Sequence, residues 1–418
     1  MKFLKTTVGN ICNVTTGKRP NIKVTDPTTE MNIPVYGGNG VSWYTNEVLI
    51  SPGVPIVVTG RVGTLGTFFQ ISEPCWISDN ALIMTPRNVD PDFIYYCISQ
   101  INVDGLNRGS TQPLLTQTDL KQIEIIIPEK IQDQKRIARI LRLFDSKIEL
   151  NTKINNNLEQ QIHAIFKQTF GDSSVDIQEK TTLGAVCKCV LGGTPSRAKA
   201  EFWNGNVPWI NSGEVNKFRI IQPSEYITKI GLEKSATKLL PTHTTVIAIT
   251  GATLGQISLL EISSCANQSV VGILENEDMP YEFIYPFIHR NIGMLLSHQT
   301  GGAQQHINKQ NVEQLPLELP TKPVLHKYKT RVEVFFKYIS KNCFENERLA
   351  AIRDALLPKL MSGEIDVSKV DISDPSYLDK LLFSEVFKKD ANGRFFIAYI
   401  SKYIICTSDK NLGIIIYR

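Results

Sequence analysis

At 418 residues, with 42% hydrophobic and 21% charged side chains, the chain can bury two or three cores of ordinary size, which excludes the minimal, low-complexity and disordered classes. A net charge of +4 permits a polyanionic partner without requiring one. The eight cysteines, Cys12, Cys75, Cys97, Cys187, Cys189, Cys265, Cys343 and Cys406, contain no Cys-x-x-Cys pair, which excludes a zinc ribbon and leaves scattered reduced thiols.

In chain order, the opening MKFLKTTVGN breaks into Thr, Gly and Asn before a signal-peptide core can form, and no apolar run approaches the ~18 residues of a membrane span. A soluble cytoplasmic protein with no membrane partner is expected. VGNICNVTTGKRP then places Lys18 and Arg19 before Pro20. VPIVVTG reads as a strand running into the glycine turn GRVGTLG, Gly60 to Gly66, which carries Arg61 and Thr64. In DPDFIYYCISQI, Pro91 suits a first helical turn. NRGSTQPLLTQTDLKQIEIIIP, from Asn107, offers Asn107, Arg108, Ser110 and Gln112 in a polar loop. After it come a capping-box start at Thr116 and Asp119 and a closing strand, IEIII.

The same order then recurs. LGAVCKCVLGGTP (183–195) matches 8–20 without a gap, NVPWINSGEV answers NIPVYGGNGV, TVIAITG and GATLG answer the strand and glycine turn, and Phe283-Ile-Tyr answers Phe93-Ile-Tyr. In the closing block, Gly109, Gln112, Gln122 and Pro128 reappear as Gly301, Gln304, Gln314 and Pro320, and Asn308 stands where it can cap the second short helix. The counterparts of the first copy's polar loops are Ser196 and Arg197, Thr250 and Thr253, and Gln299, Gln304, Gln305 and His306. A period of about 190 residues is too long for a solenoid, so each copy is an α+β domain with something attached.

What is attached is a long helix, at 129–170 and again at 322–363, expected to be free of interior proline and glycine. Ile137, Leu141, Phe144, Ile148, Asn151, Asn155, Leu158, Ile162 and Ile165 step alternately by four and three. Tyr328, Val332, Phe335, Ile339, Asn342, Asn346, Leu349, Arg353 and Leu356 do the same. Matched seams predict pairing. Antiparallel pairing about the midpoints puts Asn151 by Asn346 and Asn155 by Asn342, and a seam of about 33 residues spaces the two domains by about 50 Å. The alternative is that these asparagines face solvent where the helices bow apart.

No Gly-x-x-x-x-Gly-Lys-Ser/Thr, Gly-x-Ser-x-Gly, His-Glu-x-x-His or Asn/Asp-Pro-Pro-Tyr/Phe motif occurs, and the six histidines are scattered. Asp145-Ser146-Lys147 resembles a nuclease fragment but falls on the first long helix, where a solvated face is expected. The polar loops suit nucleic acid instead: Arg can pair with guanine and Asn or Gln with adenine, while Ser, Thr and backbone amides position phosphates. Each such loop alone is equally well an ordinary turn; their recurrence in both copies gives them weight. A stand-alone nuclease or methyltransferase with its own specificity domain, and a coiled-coil protein with no DNA role, are the competing classes.

Over roughly residues 1 to 367, LGGTPSR from Leu191, GRVGTLG, GATLG, GGAQQHINKQNVEQLPLELP from Gly301 and ALLPKLMSGEI from Ala355 resemble the specificity subunit of type I restriction-modification enzymes. The resemblance implies two target recognition domains, at 1–128 and 181–321, joined by the two long helices as an antiparallel coiled coil, with a linker at 171–180 and a tail at 364–418 to which it assigns no role. Each domain would read one half of a bipartite double-stranded DNA site. The implied partners are two methyltransferase subunits and restriction subunits. S-adenosylmethionine, ATP and Mg²⁺ would be bound by those partners, and this chain would have no catalytic residue, metal or cofactor of its own. The first copy has TTGKRP where the second has LGGTPSR, which weakens the carry-over to Lys18 and Arg19.

Overall fold

The computed structural model describes residues 1–51, 53–62, 65–103, 114–171, 176–297 and 306–370, with the backbone of three short strands at Phe387–Lys389, Phe395–Ile397 and Cys406–Thr407. The chain divides into two compact units, Met1–Lys147 with Leu349–Arg418, and Ile148–Arg348. Each unit therefore holds one repeat and a part of both long helices.

In the first unit an antiparallel sheet runs Cys12–Thr16, Ala81–Pro86, Ile56–Gly60, Phe68–Ile71. All five residues of Ile56–Gly60 are buried, which is why IVVTG reads as a continuous run and not as an alternation. A second sheet runs Gly40–Thr45, Ile33–Gly37, Trp76–Ile77, its last pair parallel with Val35 opposite Trp76. Phe3–Thr7 pairs with the closing strand Glu124–Pro128. The helix Pro91–Ser99 begins at an Asp90 cap that accepts the Phe93 N–H at 2.9 Å, and Thr116 with Asp119 forms a reciprocal capping box.

The second unit repeats the main sheet strand for strand, while its companion sheet has four strands in place of three. Its main sheet runs Lys188–Leu191, Val270–Leu274, Thr245–Ala248, Ile257–Leu259. The companion sheet again contains a parallel pair, Trp209 opposite Cys265, and Ile177–Thr182 pairs with Pro316–Pro320. Asn308 caps Lys309–Glu313. The duplication legible in the sequence is thus a duplication of α+β topology.

The first long helix is Ile131–Phe170. Its first turn is tied down by Gln134, whose amide donates to the Pro128 carbonyl at 2.9 Å and whose carbonyl accepts the Asp90 N–H at 3.0 Å. The second is Lys322–Ser362, and it does contain an interior proline, Pro358. Proline removes the N–H that would reach back four residues, to Asp354. Both residues are solvent-exposed and the helix ends within a turn, so the freed carbonyl can turn to solvent and the helix survives.

In the first unit Ile137, Leu141 and Phe144 join Ile352, Leu356 and Leu360 in one core with the sheet. In the second, Ile162 and Phe166 join Tyr328, Val332, Phe336 and Ile339. Phe336 and Ile352 are more deeply buried than their seam neighbours Phe335 and Arg353. Each helix packs on a globular repeat as well as on its partner, so its apolar stripe is wider than a strict seam. Arg353 instead donates to Asp145 at 2.5 Å, and the Tyr96 hydroxyl donates to the other carboxylate oxygen. Asp145 is therefore no solvated residue: its side chain is 13% exposed and spoken for on both oxygens. The seam rule read Arg353 as a core position and missed its acid.

Asn151 donates to Asn346 Oδ1 at 2.8 Å, and Asn342 donates to Asn155 Oδ1 at 2.8 Å. Moving four residues up one helix moves four down the other, so the helices of this unit run antiparallel. Asn151, Asn155 and Asn342 are buried and do not face solvent. Asn342→Leu strands the Asn155 carbonyl and is expected to cost about 1–3 kcal/mol, whereas Asn155→Leu with Asn342→Leu recovers much of the loss by removing both amides. Urea unfolding of the two single variants and the double variant checks this; additive losses would show that the pair does not act as a unit.

Candidate nucleic-acid interface

Burial disposes first of thiol chemistry at the described cysteines. The seven cysteines with described side chains are free, and burial pushes Cys12, Cys97, Cys187 and Cys189 up to about 12 and Cys75 and Cys343 to about 11. Thiols held protonated are neither nucleophiles nor ready ligands.

The polar loops, by contrast, converge in each repeat on one short turn. In the first, that turn is Ser78-Asp79-Asn80. The Lys18 N–H donates to the Ile77 carbonyl at 2.9 Å, the Gly17 N–H to Ala81 at 3.1 Å and the Arg61 N–H to Asn80 at 2.8 Å. Arg19 reaches Asp79 at 3.5 Å while remaining 82% exposed, so the pair is worth little and the guanidinium is available. The Arg61 carbonyl accepts the Leu115 N–H at 2.9 Å and Val62 bridges Leu114, which draws the end of the 107–115 block to the glycine turn.

In the second repeat the turn is Asn267-Gln268-Ser269. Gly193 donates to Ala266 at 2.7 Å, Gly192 to Val270 at 3.0 Å and Ile249 to Ser269 at 2.9 Å, while the Thr194 hydroxyl donates to Gln268 at 2.5 Å. Ile307 donates to the Ile249 carbonyl at 3.1 Å and Thr250 bridges His306, so the glycine turn and the closing block meet here as they do in the first repeat. Thr253 lies in the turn Gly251–Thr253 and its carbonyl accepts the Gln256 N–H at 2.9 Å.

The conformation of these loops is fixed by glycine at two points. Gly66 and Gly255 both have φ of +84°, and a side chain there would also press on Val103 and on Leu296, at 3.2 and 3.1 Å. At Gly17 and Gly192 a Cβ would fall 2.2 and 2.1 Å from backbone carbonyl oxygens. The repeated glycines therefore answer to chain packing, and the ligand-facing chemistry belongs to the side chains between them. Tryptophan closes both sites from below, by different strands: Trp76 Nε1 donates to the Lys18 carbonyl at 2.6 Å, and Trp209 Nε1 to the Gly193 carbonyl at 3.2 Å.

Ser196 and Arg197 stand apart from this cluster. The Ser196 carbonyl accepts from Trp203 Nε1 at 3.1 Å. Arg197 lies 3.6 Å over the Trp203 ring and is held by both oxygens of Glu225, one at 2.8 Å. A guanidinium so occupied must leave Glu225 before it can pair with a base. Thr64, Asn107, Arg108, Ser110, Gln112, Gln299, Gln304 and Gln305 lie outside the described residues. The turns at 78–80 and 267–269 escaped sequence reasoning because Ser-Asp-Asn and Asn-Gln-Ser share no identity; their common place, between a strand end and the strand beside the opening motif, was the available signal.

The family described as the type I restriction modification DNA specificity domain matches residues 2–160 and 176–354. The chain is similar to the type I restriction enzyme HindI specificity subunit of Haemophilus influenzae, at 24% identity over 72% of this chain and 81% of that one. It is also similar to the MjaIX specificity subunit of Methanocaldococcus jannaschii, at 24% identity over 77% and 80%. A type I restriction-modification S subunit from M. genitalium shares the fold, with a TM-score of 0.55 and 17% identity over 86% of this chain and 96% of that one. Each matched block holds one repeat and most of the long helix after it, and the chain belongs to the type I restriction modification DNA specificity family.

Proposed function

We propose that this chain is the DNA-recognition subunit of a type I restriction-modification enzyme, in which each repeat reads one half of a bipartite site and the long helices set the spacer and dock methyltransferase subunits. The observation that carries this reading is the recurrence, in two units built on the same main sheet, of a polar turn that gathers the opening motif, the glycine turn and the closing block. A bipartite site needs two readers. The helices of 40 and 41 residues are each about 60 Å long, more than the roughly 34 Å of one DNA turn, which suits a spacer element.

Lys18, Arg19 and Arg61 supply phosphate or guanine contacts in the first repeat, and Asn80 and Gln268 join the candidates as exposed amides at the centre of each cluster. Thr250, Thr253 and His306 provide the second repeat's equivalents. The chain itself performs no bond-breaking step in this reading. S-adenosylmethionine, ATP and Mg²⁺ act in the methyltransferase and restriction subunits, so recognition and catalysis are divided between chains.

The test is binding to duplex DNA bearing the two half-sites at fixed spacing, measured across salt concentration. Affinity is expected to fall linearly with log salt. Arg61→Ala should weaken binding by about 1–3 kcal/mol and relax one position if it contacts a base, or weaken every sequence alike and flatten the salt slope by about 1 if it contacts a phosphate. Unchanged affinity removes Arg61 from the interface, and turnover of DNA by the purified chain alone overturns the division of labour.

A further inference from the structure

Outside the loops just described, the second unit contains a cluster of metal-ligating side chains that DNA recognition does not use. Glu159 and His163 are four residues apart on the first long helix and so share one face. Tyr285 and His289 have the same spacing on Tyr281–Ser297. The two faces meet. Tyr285 donates to Glu159 at 2.6 Å, His163 Nε2 lies 3.4 Å from the same carboxylate oxygen, and the two imidazole rings are 5.0 Å apart.

We propose that Glu159, His163 and His289 bind a divalent transition-metal ion of the zinc class, which pins the first long helix to the second recognition repeat. The three groups present ligand atoms within 4.8 Å of one another. Ligands sharing one ion at ~2.1 Å lie at most about 4.2 Å apart, so a small rotation of the imidazoles closes the set. His289 Nε2 is buried and has no hydrogen-bond partner among the described residues, an unfilled acceptor or donor that a bound ion would satisfy.

Two features bear on charge. Arg219 lies against Glu159 at 2.8 Å, but Glu261 stands 3.7 Å from its other side, so the two carboxylates over-neutralise it. Tyr285, already bonded to Glu159, would hold the carboxylate in place once it becomes a ligand. An open groove of about 530 Å³ runs beside His163 and His289, with Lys167 and Arg290 on its wall. It gives the ion a way in and leaves a fourth position for water or an anion.

The experiment uses the full-length chain stripped with a chelator and titrated with Zn²⁺ and, for its visible absorption, Co²⁺. One equivalent is expected to bind, to produce a Co²⁺ d–d band and to raise the thermal unfolding midpoint. His163→Ala and His289→Ala should each weaken binding by more than about tenfold and abolish the band, and Tyr285→Phe should weaken it about 10–100-fold. The His163 side chain is 35% exposed, so His163→Gln keeps the test independent of any folding defect at His289. No metal uptake, or one equivalent retained undiminished by both histidine variants, overturns the assignment.

Discussion

Arg219→Ala is expected to destabilise the second unit by about 3–5 kcal/mol, the loss typical of leaving buried charges without their partner. Arg219 is fully buried. It donates to the Phe218 carbonyl at 2.8 Å, to the Tyr285 hydroxyl at 3.0 Å and to Glu159 at 2.8 Å, and it stacks on the Tyr285 and Phe218 rings. Removing it leaves Glu159 and Glu261 as two uncompensated carboxylates. Arg219→Lys should recover little, since one ammonium cannot serve three acceptors set out for a planar fork. Arg219→Ala combined with Glu159→Gln should regain part of the loss. Guanidinium unfolding checks the series, and a single-variant loss under about 1 kcal/mol would remove Arg219 as a keystone.

The same cluster sets the acid response of the metal-free chain. Burial raises the Glu159 carboxyl, but the hydrogen bond from His163, the Arg219 charge and the hydrogen bonds from Tyr285 and Arg219 outweigh it and hold the group at about 2. A depressed acid contributes stability above its unfolded value near 4.5 and loses it as pH falls toward 2. His289, at about 4 against an ordinary 6.5, refuses a proton that the unfolded chain accepts, so its contribution is full above 6.5 and fades as pH falls toward 4. Acid softening therefore begins with His289 and deepens with Glu159. His289→Gln should flatten the upper window alone.

The repeat was legible because backbone necessity writes itself into sequence. Gly17 and Gly192, Gly66 and Gly255 and the closing strands recur since no other residue fits a carbonyl at 2.2 Å or a φ of +84°, or since one strand must pair with another. The asparagine pairing was legible for a related reason: at a seam, polar residues have few places to go. Arg219 and Glu159 were not legible. They are 60 residues apart, on elements joined only in three dimensions, and neither breaks a local pattern. Asp145 was misread for the same cause, since the Tyr96 and Arg353 that occupy it are distant in sequence. Local rules see periodicity and turn chemistry; they do not see which acid finds which base.

Exchanging residues 181–321 for the corresponding domain of a relative is expected to change one half of the recognised sequence and leave the other as it was. The first recognition cluster, around Ser78 to Asn80, is built wholly from residues before 116, and the exchange touches none of them. At about 1–3 kcal/mol per mismatched base pair, a few altered positions in one half-site suffice to abolish binding to the parental sequence. The exchange carries a structural condition that the repeat alone does not reveal. Arg219, Tyr285 and His289 lie inside the exchanged block, whereas Glu159 and His163 remain on the helix outside it. A donor domain with arginine and tyrosine at these places should give a chimera as stable as the parent with one half-site replaced. A donor lacking the arginine strands Glu159 and should show the same 3–5 kcal/mol loss as Arg219→Ala, restored in part by Glu159→Gln on the recipient helix. Methylated-adenine mapping in cells carrying each chimera, beside unfolding of the purified chains, separates the two outcomes. A chimera that is fully stable yet alters both half-sites together would defeat the reading of the repeats as independent readers.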